Sequence, residues 1–325
     1  MLPIAVDAHG GDHAPSAVLS GAHAASRAGT PVVLVGAADL DTSDGGTALE
    51  LIAASEVIGM TEDPAQAVRR KKDSTLVRAA EAVRDGRASA MVSAGNTGAT
   101  MASALLRMGR IKGVKRPSIA TPIPVPGSTP TVLLDAGANA EVQAEWLVQF
   151  AVMGSVYAHH RFDIDVPRVG LLSIGEEPGK GDSLRKQSYG LLAAARGIDF
   201  IGNVEGRDIM SDVVDVCVTD GFTGNVVLKT LEGGMKAVIG ALLAAFDADE
   251  YRQHADALMP ALLPLYEQLS PDTYGGAILL GVDGVCIISH GSSSPTAITN
   301  AIGVARDMVE HRIVAEIADA IAAAG

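Results

Sequence analysis

The chain has 325 residues, 48% of them hydrophobic, with a formal net charge of −13 and a pI near 5.0. This length and apolar content suffice for a sizeable core in one large domain or two. The acidic balance, with aromatic residues at only 3%, provides neither the basic field nor the stacking surfaces of a nucleic-acid-binding protein, so we expect no nucleic-acid partner.

The two cysteines, Cys217 and Cys286, each lie within an apolar run. Neither belongs to a Cys-x-x-Cys pair and the histidines are scattered, so we expect no zinc cluster and no metal cofactor. Buried free thiols suit a reducing cytoplasm. We expect no signal peptide, because no basic region precedes an apolar one near Met1, and no membrane span, because no run of about 18 apolar residues occurs.

Short apolar runs alternate with helical patterns along the chain. Predicted strands, in order, are 4–6, 32–35, 89–92, 119–125, 131–134, 169–174, 200–201, 213–218, 277–280 and 285–288. Predicted helices begin near Pro15 and then cover 47–54, 74–84, 98–108, 141–160, 226–246 and 295–323. This alternation predicts a three-layer αβα sandwich with a mostly parallel sheet, either as one catalytic unit over 1–325 or as two lobes around a central cleft.

Proline and glycine modify three of these elements. The segment 119–126 contains three prolines, which favour an edge or extended position because proline cannot donate to a sheet ladder. The sequence Gly281-Val-Asp-Gly284 predicts a hairpin turn between the last two strands. The segment 247–270 is predicted to be helical, broken by Pro260 and Pro264.

Glycine-rich loops with charged or polar side chains follow many of the predicted strands. Loops at the carboxyl ends of parallel strands form the ligand crevice of an α/β sheet, so we expect these loops to build the functional site. Glycine in such loops lets the backbone approach a ligand closely. In chain order the loops read Asp7-Ala-His-Gly-Gly-Asp-His13, Ser93-Ala-Gly-Asn-Thr-Gly98, Leu134-Asp-Ala-Gly-Ala-Asn139, Ser173-Ile-Gly-Glu-Glu-Pro-Gly-Lys-Gly181, Gly202-Asn-Val-Glu-Gly-Arg-Asp208, Asp220-Gly-Phe-Thr-Gly-Asn-Val226 and Ser289-His-Gly-Ser292.

The first loop sets Asp7, Asp12 and His13 beside the paired glycines Gly10 and Gly11. It is either a metal or proton-transfer site or a turn whose side chains satisfy their own backbone. The abrupt appearance of charge after the first strand favours the functional interpretation.

The second loop follows a strand and opens a helix. This arrangement binds phosphate through unpaired backbone N–H groups and the helix dipole. The alternative is that Asn96 and Thr97, before Gly98, are simple helix caps. The loop is neither a Walker A sequence nor G-x-G-x-x-G, so a purine nucleotide is not indicated.

This ordered series of loops resembles the bacterial phosphate acyltransferase family (acyl-carrier-protein:phosphate acyltransferase) over residues about 2–312. The resemblance implies that inorganic phosphate attacks the thioester of a long-chain acyl-carrier protein. The acyl phosphate formed would be consumed by a membrane glycerol-3-phosphate acyltransferase in phospholipid synthesis. It also implies a homodimer and a fold like that of isocitrate dehydrogenase and phosphotransacetylase. His9 departs from the family pattern, which usually has Met there.

Phosphate is already nucleophilic near neutral pH, so positioning and fixed donors can do most of the work without a covalent enzyme intermediate, and we expect no cofactor. We expect Lys180 and Arg207 to neutralise phosphate or the developing oxyanion. His13 and His290 are candidates for proton transfer to the leaving sulfur, with a hydrogen bond inside its own turn as the alternative for each. The substrate-binding candidates are Asp7, Gly10, Gly11, Asp12, Asn96, Thr97, Gly98, Asn139, Glu205, Asp220, Asn225 and Ser292.

A basic segment offers a docking surface for acyl-carrier protein, which is acidic like the chain itself. Between positions 87 and 134 there are six basic residues and no Asp or Glu. The alternative is an ordinary solvated loop. The docking candidates are Arg107, Arg110, Lys112, Lys115 and Arg116.

The segment 247–270 looks like the family's helical hairpin that contacts the bilayer. Here it carries five acidic residues against one basic residue, so its attraction to anionic lipid should be weak. Dimer packing, acyl-chain cover and transient membrane contact therefore stay open. We expect a cytoplasmic protein, peripheral at most to the inner face of the membrane. Competing functions are a short-chain phosphotransacylase or dehydrogenase on the same fold, or a non-catalytic acyl-ligand binding protein.

Overall fold

The computed structural model describes residues 1–247 and 250–324. Its strands are β1 Ile4–Asp7, β2 Val32–Gly36, β3 Ser43–Asp44, β4 Thr47–Ala48, β5 Glu50–Ala53, β6 Ala90–Ser93, β7 Ser118–Ile123, β8 Thr131–Leu134, β9 Arg168–Leu172, β10 Asp199–Val204, β11 Val216–Val218, β12 Ala277–Leu280 and β13 Val285–Ile288. Its α-helices are α1 Ser16–Arg27, α2 Pro64–Arg70, α3 Thr75–Arg84, α4 Thr97–Arg107, α5 Ala144–Phe162, α6 Ser183–Ala194, α7 Gly221–Phe246, α8 Arg252–Leu269, α9 Pro271–Tyr274, α10 Pro295–Glu310 and α11 Ile313–Ala324.

One sheet of eleven strands, in the order β10-β9-β11-β8-β7-β12-β13-β6-β1-β2-β5, forms the centre of the fold. Neighbouring strands pair in parallel, as the alternation of strands and helices predicts, except at the middle of the sheet, where β8, β7, β12 and β13 pair antiparallel in succession. Three successive reversals leave the parallel strands of one half running opposite to those of the other. We call the two halves of this sheet its lobes: the first contains β5, β2, β1, β6 and β13, and the second contains β8, β11, β9 and β10.

Helices cover both faces of this sheet, because alternate residues of each strand point to opposite faces. Ile4 and Val6 of β1 belong to the hydrophobic cluster that includes α1, α5, α6, α10 and α11. Ala5, between them, belongs to a second cluster with α2, α3 and α4. A third, smaller cluster lies where Val227 and Leu231 of α7 pack on the other lobe. The predicted three-layer, mostly parallel α/β fold is confirmed.

The prediction that 119–125 lies at a sheet edge is wrong, because β7 lies near the middle of the sheet. The registers explain how it tolerates proline there. Residues 118–120 pair with β12, whereas residues 121–123 pair with β8. Pro122 therefore has a paired strand on one side only, and its missing N–H costs no bond on the other.

Three helix predictions need correction. The segment 47–54 is not a helix but contains β4 and β5, and β5 pairs in parallel with β2 at the sheet edge; this long-range pairing outweighs local propensity. The predicted helix 295–323 is two helices, α10 and α11, separated at His311 and at Arg312, whose φ is 53°. Pro260 and Pro264 lie inside the continuous helix α8 and do not break it.

The hairpin excursion predicted for 247–270 corresponds to α8 and the connection from α7, and Ala248 and Asp249 of that segment lie outside the described residues. The predicted hairpin turn at 281–284 is confirmed, since β12 and β13 pair antiparallel. Among the described residues, none of the helices combines the length and apolar content needed to cross a bilayer.

Candidate active site

Three of the strand-end loops meet at the carboxyl ends of β1, β6 and β13, and we call 7–13, 93–98 and 289–293 the first loop cluster. The Ser93 hydroxyl donates to Asp7 Oδ2 at 2.7 Å and accepts from the backbone N–H of Gly95 at 2.9 Å. The backbone N–H of Asp12 donates to the Gly291 carbonyl at 2.7 Å. These bonds tie the three loops together.

Asp7 is a buried carboxylate at the centre of this cluster. Burial raises its pKa, while hydrogen bonds from Ser93, Thr75 and His9 act in the opposite direction. Gly10 packs directly against it, because a Cβ at that position would lie 2.7 Å from Asp7 Oδ2. Asp7 thus holds the loops in place from beneath rather than facing solvent.

The two candidate histidines lie in the first loop cluster and are exposed. His290 Nδ1 accepts the backbone N–H of Ser292 at 3.2 Å and lies 2.8 Å from the Ser292 hydroxyl. With Nδ1 accepting, the neutral ring carries its proton on Nε2, which remains available as an outward donor. The His13 ring has no hydrogen-bond partner within the described residues.

The loop 93–98, predicted to bind phosphate, ends in a helix cap. The Asn96 Oδ1 accepts the Ala99 N–H at 3.0 Å, and its Nδ2 faces the carbonyls of Gly59, Met60 and Glu62 at 3.0–3.3 Å. Asn96 is therefore the N-cap of α4 rather than a side chain aimed at a ligand. The backbone N–H groups of Thr97 and Gly98 have no acceptor among the described residues and are the donors that remain there.

The other four loops, which follow β8, β9, β10 and β11, form the second loop cluster, 135–139, 173–181, 203–208 and 219–225. Asp135 lies fully buried at its base. Its two carboxylate oxygens accept five N–H donors at 2.7–3.1 Å, from Ile119, Gly137, Ala138 and both the backbone and side chain of Asn139. Burial raises the pKa of Asp135, and these donors oppose that effect.

Arg185 joins the loops of the second cluster from inside the protein. Its Nη2 donates to Asp220 Oδ2 at 2.5 Å and to the Thr219 hydroxyl at 2.9 Å, and its Nε donates to the Leu172 carbonyl at 3.3 Å. Asp220 in turn caps α7 through the Thr223 N–H at 2.8 Å. Burial acts to raise the pKa of Asp220, but the bonds from Thr223 and the charge of Arg185 together hold it below its usual value.

Neither Asp135 nor Arg185 was predicted as a functional residue. Asp135 follows a predicted strand in the loop 134–139, and a charged residue at that position is the signal that could have identified it. An arginine two residues into a helix looks like a surface residue in sequence, so burial of Arg185 had no local signature.

The two candidate cations lie on neighbouring loops of the second cluster and are exposed. Arg207 Nη2 lies 3.1 Å from Glu205 Oε2 and 3.4 Å from Glu176 Oε1. Lys180 Nζ lies 4.0 Å from Glu177 Oε2. Glutamates therefore lie beside both cations, whose charged ends stay open to solvent.

The remaining candidates of the second cluster have different surroundings. Asn139 Nδ2 is engaged by the Pro117 carbonyl and Asp135, both at 2.8 Å, so its amide supports the loop. Asn225 is exposed on the first turns of α7. It lies close to the loop of Gly137, since a Cβ added at Gly137 would be 3.6 Å from the Cβ of Asn225. Among residues 1–247 and 250–324, no group of three or more His, Cys, Asp or Glu side chains is arranged to hold a metal ion.

The two loop clusters belong to different lobes and follow strands that run in opposite directions. Lys180 and Arg207 are therefore in one cluster, and His13 and His290 in the other. One hydrophobic cluster connects the lobes, since it contains Ala99 at the start of α4 and Ala136 of the second loop cluster.

The basic segment after α4 is mostly exposed, as a docking surface requires. The Arg116 guanidinium lies 4.9 Å from the ring centroid of Trp146, and Arg110 Nη1 donates to the Lys115 carbonyl. Both arginines and Lys115 line an open cavity of about 650 Å³. Arg107 differs, because it lies 3.7 Å from Glu81 of α3 and is partly buried.

Solved structures show which class of fold this is. A phosphotransacetylase from Streptococcus pyogenes superposes with a TM-score of 0.64 at 18% identity, covering 95% of this chain and 94% of that one. A branched-chain phosphotransacylase from Enterococcus faecalis V583 gives 0.59 at 15% identity, covering 95% and 99%. The chain thus has a phosphotransacetylase-like α/β fold.

Sequence relatives are more specific. The chain matches the model of the fatty acid synthesis protein family over residues 2–316. It is 48% identical to the phosphate acyltransferase of Pelotomaculum thermopropionicum, covering 98% of this chain and 95% of that protein. It is also 48% identical to the phosphate acyltransferase of Elusimicrobium minutum, covering 99% and 96%. The chain belongs to the phosphate acyltransferase family, as its loop series indicates.

Proposed function

We propose that the chain transfers a fatty acyl group from acyl-carrier protein to inorganic phosphate in the cytoplasm, giving acyl phosphate for phospholipid synthesis. The observation that carries this proposal is the pair of exposed cations, Lys180 and Arg207, which lie beside glutamates on adjacent strand-end loops. A phosphate dianion needs this kind of fixed positive charge.

The proposed reaction forms one bond and breaks one. A phosphate oxygen attacks the thioester carbonyl carbon, the resulting oxyanion collapses, and the carbon–sulfur bond breaks. The sulfur leaves as a thiolate and takes up the proton that hydrogen phosphate loses when its oxygen becomes part of the acyl phosphate, which gives the thiol of acyl-carrier protein. Lys180 and Arg207 hold phosphate and its developing charge, while His290 Nε2 and His13 are the candidate donors toward the sulfur.

A covalent cysteine intermediate has no support in the structure. Cys217 and Cys286 are fully buried. Burial raises the pKa of both thiols to about 12, so neither is a thiolate near neutral pH. Direct attack by phosphate agrees with this arrangement.

The deciding experiment incubates the protein with palmitoyl-acyl-carrier protein and phosphate and traps acyl phosphate with hydroxylamine. We expect hydroxamate to form with palmitoyl-acyl-carrier protein faster than with acetyl-CoA, the donor of a short-chain phosphotransacylase. Absence of hydroxamate above the enzyme-free control would reject acyl transfer, and faster reaction of acetyl-CoA would reject the long-chain donor.

The role of Lys180 has its own test. Because one preorganised charge is worth about 10²–10³ in kcat, Lys180→Ala should lose activity by that factor or raise the KM for phosphate strongly. Lys186→Ala is the matched control, since Lys186 is exposed on the neighbouring helix α6. Lys180→Ala with wild-type turnover at all phosphate concentrations would exclude its role.

We also propose that the basic surface formed by Arg110, Lys112, Lys115 and Arg116 docks acyl-carrier protein. The cavity beside it combines positive charge with the Trp146 ring, which suits an acidic helical partner. Arg110→Glu with Lys115→Glu should raise the KM for acyl-acyl-carrier protein and flatten its salt dependence. Lys186→Glu with Arg196→Glu carries the same charge change elsewhere, and an equal effect of both pairs would reject the surface.

The long helices α7 and α8 expose many apolar side chains, and we propose that a second copy of the chain covers them in a homodimer. Val238 is 70% exposed and Leu258 51%, values that a soluble monomer would not favour over so long a surface. Sedimentation at micromolar concentration should show a dimer. A monomer that floats with liposomes containing anionic lipid would instead support membrane contact, and with it access to a membrane acyltransferase.

A further inference from the structure

A second, unassigned cavity lies on the face of the sheet that carries α1, α5 and α10. Its volume is about 260 Å³, and it opens between the end of α1, the middle of α10, the short helix α9 and the last turn of α5. It is lined by two guanidinium groups and one carboxylate, which leaves one net positive charge. The charged residues are Arg161, Arg306 and Asp307, accompanied by Thr30, Thr299 and Asn300.

The two arginines of this cavity differ in their partners. Arg306 donates to Asp307 Oδ1 at 2.9 Å and reaches the Thr30 hydroxyl at 3.4 Å. Arg161 has no carboxylate partner within the described residues, and its buried Nε has no hydrogen-bond acceptor. The Arg161 guanidinium lies 5.5 Å from the ring centroid of Phe162, a cation–π contact.

The surroundings of Arg161 supply no counter-charge either. Tyr157, buried nearby, has its pKa raised to about 12 by burial, and the neighbouring guanidinium opposes this only partly. The Tyr274 hydroxyl donates to the Gln268 carbonyl at 3.0 Å. Both phenols are therefore neutral at working pH. A partly buried cation without an anion is costly, and an oxyanion entering the cavity would remove that cost.

We propose that this cavity is a binding site for a small phosphate-bearing anion, held by the Arg161 guanidinium together with Arg306, which lines the same cavity. A guanidinium with unused donors matches the geometry of phosphate oxygens. The site joins the two lobes, because α1 and α10 cover the first lobe and α5 the second. Its occupation stabilises their relative position. This binding is separate from acyl transfer, since the loops of Lys180 and Arg207 follow β9 and β10, whereas this cavity is bounded by helices.

The test is thermal unfolding in increasing sodium phosphate, at constant ionic strength set with sodium chloride. The background is the Lys180→Ala/Arg207→Ala variant, so that phosphate binding by those two cations does not contribute. We expect this variant to keep a rise in Tm that grows with the logarithm of phosphate concentration above Kd, reaching about 4 °C at one hundred times Kd for a chain of this length. Adding Arg161→Gln should abolish the rise, and adding Arg196→Gln, an exposed arginine elsewhere, should leave it intact.

Arg161→Lys guards against a folding defect, because it keeps the charge but lacks the planar donor fork of arginine. The same rise in Tm should then need at least about tenfold more phosphate. A full response in the Arg161→Gln variant would overturn the site. So would the absence of any response in the Lys180→Ala/Arg207→Ala background. An equal response to sodium acetate at matched ionic strength would overturn the phosphate assignment.

Discussion

Arg185 offers a quantitative test of how the second loop cluster is held together. We consider Arg185→Met, which keeps an unbranched chain of similar volume but removes the charge. The Arg185 and Asp220 side chains are only 10% and 9% exposed, and their closest atoms lie 2.5 Å apart. Removing one partner of such a buried pair costs about 3–5 kcal/mol, because the other charge is left uncompensated. That is a large part of a typical unfolding free energy of about 5–15 kcal/mol.

A double-mutant cycle with Asp220→Asn separates the pair from its surroundings. Asparagine retains the oxygen that accepts the Thr223 N–H at the start of α7. The Arg185→Met/Asp220→Asn variant should therefore be less destabilised than the sum of the single variants, with a coupling of about 1–3 kcal/mol. Equilibrium unfolding in guanidinium chloride, followed by circular dichroism at pH 7.5, measures each free energy.

The stability difference between wild type and Arg185→Met should depend on pH in a defined direction. The folded pKa of Asp220 is held below its usual value, so its contribution is present above the unfolded pKa, about 3.9, and is lost as pH falls through the folded pKa. In Arg185→Met the carboxylate loses that help and protonates at higher pH. The stability gap between wild type and variant should narrow as pH falls from 7.5 to 4. A gap below about 0.5 kcal/mol, or one independent of pH, would refute this account of the pair.

Three further predictions follow from buried or crowded groups. Gly224→Ala should destabilise the protein by at least about 1–3 kcal/mol, because the added Cβ would collide with the Asp135 carbonyl oxygen. Gly233→Ala, where an added Cβ meets no atom within 4 Å, should raise the free energy of unfolding in urea by roughly 0.5–1 kcal/mol. Burial lowers the pKa of His160, as do the charges of two neighbouring histidines. The folded state therefore binds this proton less readily than the unfolded state, so the stability of the protein should fall as the pH drops below about 6.5. The dependence of Tm on pH between 7.5 and 5.5 should be flatter in His160→Gln. Because the pKa of both thiols is raised to about 12, a thiol-titrating disulfide reagent should label neither in the native protein and both after unfolding.

The sequence predicted the kind of fold well because that information is local. Strand–loop–helix alternation fixes an α/β sandwich, and glycine with charge at strand ends marks the functional loops. Strand order is not local. Residues 119–125 looked like an edge strand because of their prolines, yet β7 lies near the centre by pairing with one neighbour over its first half and the other over its second. The strand β5 was hidden for a related reason, since its conformation depends on pairing with β2.

The candidate site shows the same division between local and long-range information. The sequence predicts the cations Lys180 and Arg207 as site residues, because charge in a glycine-rich loop has few structural uses, and their role stays a prediction. It missed Arg185 and Asp135, which act on the loops from below, because burial of a charged side chain is decided by partners distant in sequence. The sequence leaves Asn96 as either a ligand candidate or a cap; its contacts with Ala99 and three carbonyls show the cap, and a role toward a ligand stays a prediction.

The opposite direction of the strands in the two lobes has a consequence for the proposed mechanism. The cations that would hold phosphate belong to the second loop cluster, whereas the histidines that would protonate sulfur belong to the first. Neither cluster alone holds both sets of groups, so the proposed reaction would require the lobes to keep a fixed relative position. Ala99 and Ala136 lie in one hydrophobic cluster that spans both lobes, and the Arg161 cavity bridges them on the other face. A change that loosens the contact between lobes should therefore lower kcat more than it lowers phosphate affinity, because phosphate contacts one lobe and the chemistry needs both.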